Sequence, residues 1–86
     1  MKSAVLLREC ENLTRRCGID IRYTQGGPSG LCTVHGEQVM FIDRTLDDDD
    51  KLTVYARELS RLDLDSMYLV PALRKLLAVN GPENEW

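Results

Sequence analysis

Apolar positions near the start of the chain follow a helical spacing and then an alternating one. In residues 3–17 the apolar side chains recur at steps of three and four, which predicts an amphipathic helix with one buried stripe. Gly18 can take the left-handed conformation that ends such a helix. In residues 19–24 apolar and polar side chains alternate, which predicts a strand with one solvated face. The stripe of the helix consists of Leu6, Cys10, Leu13 and Cys17.

Two more strands are predicted after a flexible connection. Residues 25–30 read QGGPSG, a composition typical of a loop. The segments LCTVH and QVMFID follow as strands, with Gly36-Glu37 as a tight turn between them. We therefore expect the three strands to form an antiparallel sheet or meander.

The second half of the chain begins with an acidic run, DDDDK (47–51), directly before a helical pattern. Acidic side chains at this place cap a helix and suit the positive end of its dipole. The same letters spell the recognition sequence of enteropeptidase, a mark of engineered fusions, but such sequences usually lie beside a tag at a terminus. We therefore favour capping and expect a helix over residues 48–62. Its apolar stripe consists of Leu52, Tyr55, Leu59 and Leu62.

A third, shorter helix is predicted from Pro71, which fits the first turn of a helix. Leu73, Leu76 and Leu77 would face inward, and Asn80-Gly81-Pro82 would end the helix. The order of helix, three strands and two helices predicts an α+β fold, a two-layer sandwich with an antiparallel sheet. We expect one domain over residues 1–80 and a flexible tail over residues 81–86.

Composition and charge narrow the classes of partner. The chain has 86 residues, of which 43% are apolar and 29% are charged, as in globular proteins. The net charge is −3, and the Lys and Arg residues are scattered, so we expect no nucleic-acid partner. No apolar run approaches the ~20 residues that span a bilayer, so no membrane association is expected. Arg8 and Glu9 interrupt the first apolar stretch too early for a signal peptide, and we expect a cytoplasmic location.

The cysteines and the single histidine could in principle bind zinc, since three Cys and one His equal a known ligand set. Cys10 and Cys17 are about 10 Å apart along a helix, and Cys32 and His35 point to opposite faces of a strand. We therefore expect no metal and no cofactor, and three free, buried thiols. A Cys32–His35 nucleophile pair would need a bulge or turn to re-aim one side chain, so we expect no catalytic residues there.

The segment VYARELSR (54–61) carries the most informative charges, Arg57, Glu58 and Arg61. On a helical wheel they lie away from the apolar stripe, which is typical of a solvated face. The segment also resembles the active-site helix of minimal zinc metallopeptidases of the ImmA/IrrE type, which carries H-E-x-x-H after a helix and a small sheet. Here the glutamate matches and arginine replaces both histidines. Arginine cannot ligate zinc, so the resemblance implies an inactive relative. We expect these three residues to form a binding site.

A second resemblance covers residues 18–77. The chain is similar there to a group of small uncharacterised bacterial proteins, and this resemblance implies a fold rather than an activity. The shared features are Gly30-Leu31-Cys32, the Val34-x-Gly36 turn, Ile42-Asp43-Arg44, Leu62-Asp63-Leu64-Asp65, and Tyr68 with Pro71 and Arg74.

Two functional hypotheses follow. The first is a non-enzymatic module that binds protein, including a second copy of itself as a homodimer. Val39 and Phe41 share one face of the third strand while Met40 and Ile42 share the other, so both faces need cover. Either a partner covers the Val39 and Phe41 face, or the third helix folds back over it. The alternative hypothesis is a metal-dependent hydrolase related to the zinc metallopeptidases.

Overall fold

The computed structural model describes residues 2–80, and the side chains of residues 2–78. The fold is α+β, as predicted, with three helices and a three-stranded sheet. No helix in this range has the length and apolar character needed to cross a membrane. In chain order the elements are α1 (Ser3–Arg16), β1 (Asp20–Thr24), β2 (Gly30–Val34), β3 (Glu37–Asp43), α2 (Asp48–Leu59) and α3 (Pro71–Asn80).

The sheet is mixed, and the prediction of a purely antiparallel sheet is wrong. The strand order is β1-β3-β2, with β3 antiparallel to β2 and parallel to β1. The reason is that β3 is apolar on both faces, and its Val39, Met40 and Ile42 are all buried, so it takes the central place. Residues 25–29 then carry the chain from β1 past β3 to the far edge, about 10 Å or two strand spacings.

The hairpin between β2 and β3 has a two-residue turn, His35-Gly36, one residue earlier than expected. Both residues have positive φ, 52° and 82°, as a type I′ turn requires. Val34 and Glu37 therefore close the hairpin as a hydrogen-bonded pair. Since such pairs alternate along an antiparallel ladder, the backbone groups of Leu31 point away from β3 towards the free edge of the sheet.

The helices all pack on one face of the sheet. Helices α1 and α2 contact each other and the strands, and α3 packs on α1 and α2. The third helix therefore does not cover the opposite face, which we call the outer face. The outer face carries the side chains of Asp20, Arg22 and Thr24 on β1, of Glu37, Val39, Phe41 and Asp43 on β3, and of Cys32 and Val34 on β2.

Helix α2 begins at the acidic run, as the capping interpretation requires. The Asp47 carboxylate accepts a hydrogen bond from the Asp50 N–H at 2.8 Å. Leu52, Tyr55 and Leu59 are buried in the core, which confirms most of the predicted stripe. The helix ends at Leu59, so Leu62 lies beyond it and is only half-buried.

Helix α3 begins at Pro71, as predicted, and buries Leu73 and Leu77 in the same core. Leu76 is half-buried against that core. The predicted tail, residues 81–86, lies outside the described residues.

Candidate binding surface

Arg57 and Glu58 on the last turn of α2 come together with Arg61 in the turn that follows it, and we call these three residues the α2 cluster. One carboxylate oxygen of Glu58, Oε2, lies 3.3 Å from the Arg57 Nε and 3.5 Å from an Arg61 guanidinium nitrogen. The other, Oε1, accepts a hydrogen bond from the Leu31 N–H at 2.8 Å. The cluster therefore joins α2 to the edge strand β2.

Glu58 is buried, with only 8% of its surface exposed, so the expectation of a solvated helix face is wrong for this residue. A buried carboxylate needs hydrogen-bond donors and opposite charge, and Leu31 and the two arginines provide them. The sequence contained a signal for this burial. Glu58 follows Val54 by four positions and Tyr55 by three, and both of these residues are buried.

Gly30, the first residue of β2, lets Glu58 come close to the strand. Its φ is +154°, a value that L side chains rarely adopt, and a Cβ built there would lie 3.0 Å from Glu58 Oε1. A larger residue at this position would push the carboxylate away from the Leu31 N–H. Glycine at position 30 thus belongs to the same arrangement as the α2 cluster.

The α2 cluster does not fit the zinc ion that the metallopeptidase resemblance implies. Arginine cannot ligate a metal ion, and the guanidinium groups of Arg57 and Arg61 interact with Glu58. Within residues 2–80, no group of three or more His, Cys, Asp or Glu side chains is placed to hold a metal ion. Glu58 instead accepts a hydrogen bond from the Leu31 N–H.

A groove of about 500 Å³ lies on the outer side of the sheet, between the 25–29 loop and the start of β2. Its lining is mostly apolar and includes Pro28, Cys32 and Phe41. The loop is held in place by hydrogen bonds to β3. The Gly26 N–H donates to the Asp43 carboxylate at 2.9 Å, and the Asp43 N–H donates to the Ser29 hydroxyl at 2.9 Å.

The groove and the adjoining part of the outer face share a strip of apolar side chains. Cys32 is exposed, which corrects the expectation that all three cysteines are buried, and Val34 and Phe41 are half-buried. Val39, expected to join Phe41 in self-association, has only 1% of its surface exposed. It stands between Asp20 and Cys32 in the register of the sheet, so it offers a partner little surface. The accessible strip therefore consists of Val34, Cys32, Phe41 and Pro28.

The other two thiols lie on the helical side of the sheet. Cys10 is fully buried, and this burial raises the pKa of its thiol to about 12, with further contributions from Glu11 and Glu9. Cys17 is half-buried and its Sγ lies 3.6 Å from the Met67 Sδ. Burial also raises the pKa of Cys17. Neither thiol has the exposed, electropositive surroundings of a reactive cysteine.

A polar network in the core was not predicted from the sequence. The Tyr23 hydroxyl donates to the Glu11 carboxylate and lies 3.3 Å from the Tyr55 hydroxyl. Burial raises the pKa of Tyr55, and the negative charge of Glu11 raises it further. The network ties α1, β1 and α2 together, and it satisfies the polar ends of side chains whose rings are packed in the core.

A cavity of about 390 Å³ lies between α3 and the 60–70 connection, and a few of the residues quoted for the second resemblance line it. Leu62, Leu64 and Arg74 are among its lining residues. Leu62 and Leu64 also pack against the core, so their apolar side chains hold the connection in place.

Comparisons with protein-family models, with curated proteins and with solved structures returned no match.

Proposed function

We propose that the protein is a non-enzymatic interaction module that binds protein through the outer face of its sheet, with a second copy of the chain as the partner. The observation that carries this proposal is the one-sided packing of the helices, which leaves Cys32 and Pro28 of the strip exposed and Val34 and Phe41 only half-buried in residues 2–80. A two-fold axis that brings two outer faces together is the commonest way to bury such a strip.

The size of the face sets the strength of the association. Three strands of about five residues present roughly 250 Å² per partner, from a strand spacing of about 4.8 Å and a rise of about 3.3 Å. A stable interface buries about 800 Å² per partner. Contacts by the 25–29 loop add to this area, but they do not triple it to the size of a stable interface, so we expect a weak and reversible dimer.

Charges on β1 flank the strip on one side and favour a defined partner. Arg22 and Asp20 form an ion pair at 3.0 Å, and both side chains are exposed on the outer face. A polar rim beside an apolar centre is the usual anatomy of a protein interface. The arrangement supports binding of a protein surface over binding of nucleic acid, which would need a basic patch.

The metal-dependent hydrolase of the alternative hypothesis has less support. The α2 cluster uses both oxygens of Glu58 in contacts with Leu31, Arg57 and Arg61. We expect the purified protein to contain no stoichiometric zinc by elemental analysis. One zinc ion per chain would reverse the order of the two hypotheses.

Sedimentation equilibrium tests the proposal on the wild-type chain and on Cys32→Glu. We expect the wild type to rise from its monomer mass of 9.8 kDa towards twice that value between about 10 µM and 1 mM. Cys32→Glu places like charges on the strips of both copies, so it should stay monomeric. Phe41→Thr removes the largest apolar side chain of the strip and should also weaken the dimer.

The matched control is Val5→Glu, which makes the same charge change at an exposed position on α1. This control should associate as the wild type does. A wild-type mass that stays at 9.8 kDa over the whole range would contradict self-association. Equal loss of association in the control would show that added charge, and not the outer face, is responsible.

A further inference from the structure

The edge of strand β2 carries backbone groups that a further strand could bond. Val34 and Glu37 close the hairpin as a bonded pair, and bonded pairs alternate with non-bonded ones along β2. Leu31 is therefore non-bonded to β3, and its backbone groups, like those of Ser29 two residues earlier, point away from β3. An unpaired edge of this kind is a template for pairing with another chain.

The α2 cluster occupies two of these backbone groups. The Leu31 N–H donates to Glu58 Oε1 at 2.8 Å, and the Ser29 carbonyl accepts from an Arg57 guanidinium N–H at a longer 3.4 Å. In a parallel sheet, one residue of the neighbouring strand donates to a carbonyl and accepts from the N–H two residues further along. Arg57 and Glu58 supply the same donor and acceptor around Gly30. Two helix side chains thus take the place of one residue of a fourth strand.

We propose that Arg57 and Glu58 form a latch that closes the β2 edge, and that opening the latch lets this edge pair with the β2 edge of a second copy. The shorter bond belongs to Glu58, so Glu58 is the main element of the latch and Arg57 supports it. Arg61 forms an ion pair with the Glu58 carboxylate, and this ion pair does not involve the strand.

A second copy is the partner that suits the open edge. A two-fold axis beside β2 makes the two strands antiparallel, and each Leu31 then offers both an N–H and a carbonyl to the partner strand. Such pairing joins the two sheets into one of six strands and places both outer faces on the same side. This contact is distinct from the proposed face-to-face dimer, because it uses the edge of the sheet.

The test uses Glu58→Ala in a Phe41→Thr background, so that association through the outer face does not contribute. In sedimentation equilibrium up to about 1 mM, we expect the Phe41→Thr parent to be monomeric and the double variant to associate. The amide of Leu31 should also exchange with deuterium at least tenfold faster in the double variant than in the parent, if both are compared at a concentration where they are monomeric.

Two controls in the same background separate the latch from a general loss of charge. Glu58→Gln keeps an oxygen that accepts from Leu31, and Arg61→Ala keeps the whole contact to the strand, so both should remain monomeric. If Glu58→Ala stays monomeric, or if Arg61→Ala associates equally, the proposal is wrong. A wild-type protein that never associates would contradict the face-to-face dimer but not the latch, because association of Glu58→Ala in the Phe41→Thr background does not use the outer face.

If Glu58→Ala does not fold, the latch is tested by hydrogen exchange of the wild-type protein. The amide of Leu31 should exchange slowly even though it points to a sheet edge, because Glu58 accepts its hydrogen bond. Exchange of Leu31 as fast as that of the exposed turn at Gly36 would overturn the latch.

Discussion

The carboxylate of Asp43 accepts three hydrogen bonds where the 25–29 loop meets the end of β3. The donors are the Thr45 N–H, the Thr45 hydroxyl and the Gly26 N–H, at 2.9, 2.7 and 2.9 Å. All three favour the charged form of the carboxyl group, so they lower the pKa of Asp43 below its ordinary 3.8, with the Thr45 hydroxyl as the largest contribution. Asp43 therefore holds the loop that forms one wall of the groove.

The lowered pKa predicts a direction for the effect of acid. A group whose folded pKa is depressed stabilises the fold above its unfolded pKa, and this contribution is lost as the pH falls through the folded value. We expect the pKa of Asp43, measured by NMR titration, to lie below 3.8 in the wild type. In Thr45→Ala, which loses the hydroxyl donor, this pKa should move up towards 3.8. A pKa of Asp43 at or above 3.8 in the wild type would contradict these hydrogen bonds.

The three thiols should react in the order of their exposure. Cys32 is exposed, Cys17 is half-buried and Cys10 is fully buried with a pKa raised to about 12. A thiol reagent should therefore modify Cys32 of the native protein first, Cys17 more slowly and Cys10 only after unfolding. Under denaturing, non-reducing conditions the reagent should count three thiols. Native protein in which Cys10 reacts as fast as Cys32 would contradict the assigned core.

Individual residues also show where inference from the sequence ended. The spacing identified Glu58 as a notable charge but placed it on a solvated face. Its three- and four-residue spacing from Tyr55 and Val54 was a sign of burial, but its hydrogen-bond partner on β2 is set by tertiary structure and not by the helix pattern. In the same way, Val39 was correctly expected to need cover, but it is already buried within the chain, at the centre of the sheet between Asp20 and Cys32.

At the scale of elements, helices α1 and α2 were predictable because their signals are local. A period of three to four residues, a cap such as Asp47 and a stop such as Gly18 all lie within one or two turns. Strand pairing is not local, and the antiparallel prediction failed for β1 because sequence neighbours were assumed to pair. The apolar residues on both faces of β3 were the available sign of a central strand.

Helix α2 is the element on which the core depends most. Leu59 is fully buried, so Leu59→Ala should lower the free energy of unfolding by about 2–5 kcal/mol. Leu62→Ala provides a matched control outside the helix, where the side chain is only half-buried and the loss should be smaller. Urea denaturation measures both. A loss below about 0.5 kcal/mol for Leu59→Ala would contradict the core assignment.

At the scale of the whole molecule, the fold is a sheet with helices on one side. A chain of 86 residues has few elements with which to cover a second face, so burial by a partner is an ordinary way to gain stability. The sequence indicated this need through the apolar residues on both faces of β3. It could not indicate that the 25–29 loop would cross to the far edge of the sheet and form a wall of the groove there, since that path follows from the mixed strand order.

Self-association through the outer face is tested most directly by the amide chemical shifts of the wild-type protein, followed from about 10 µM to about 1 mM. These shifts show which residues lie in the contact between two copies. The account predicts concentration-dependent shifts on the outer face and the groove, at Cys32, Val34, Phe41 and residues 25–29, with none along α3. Shifts that cluster on α1 or α3, or the absence of any change over this range, would contradict an interaction module built on the outer face of the sheet.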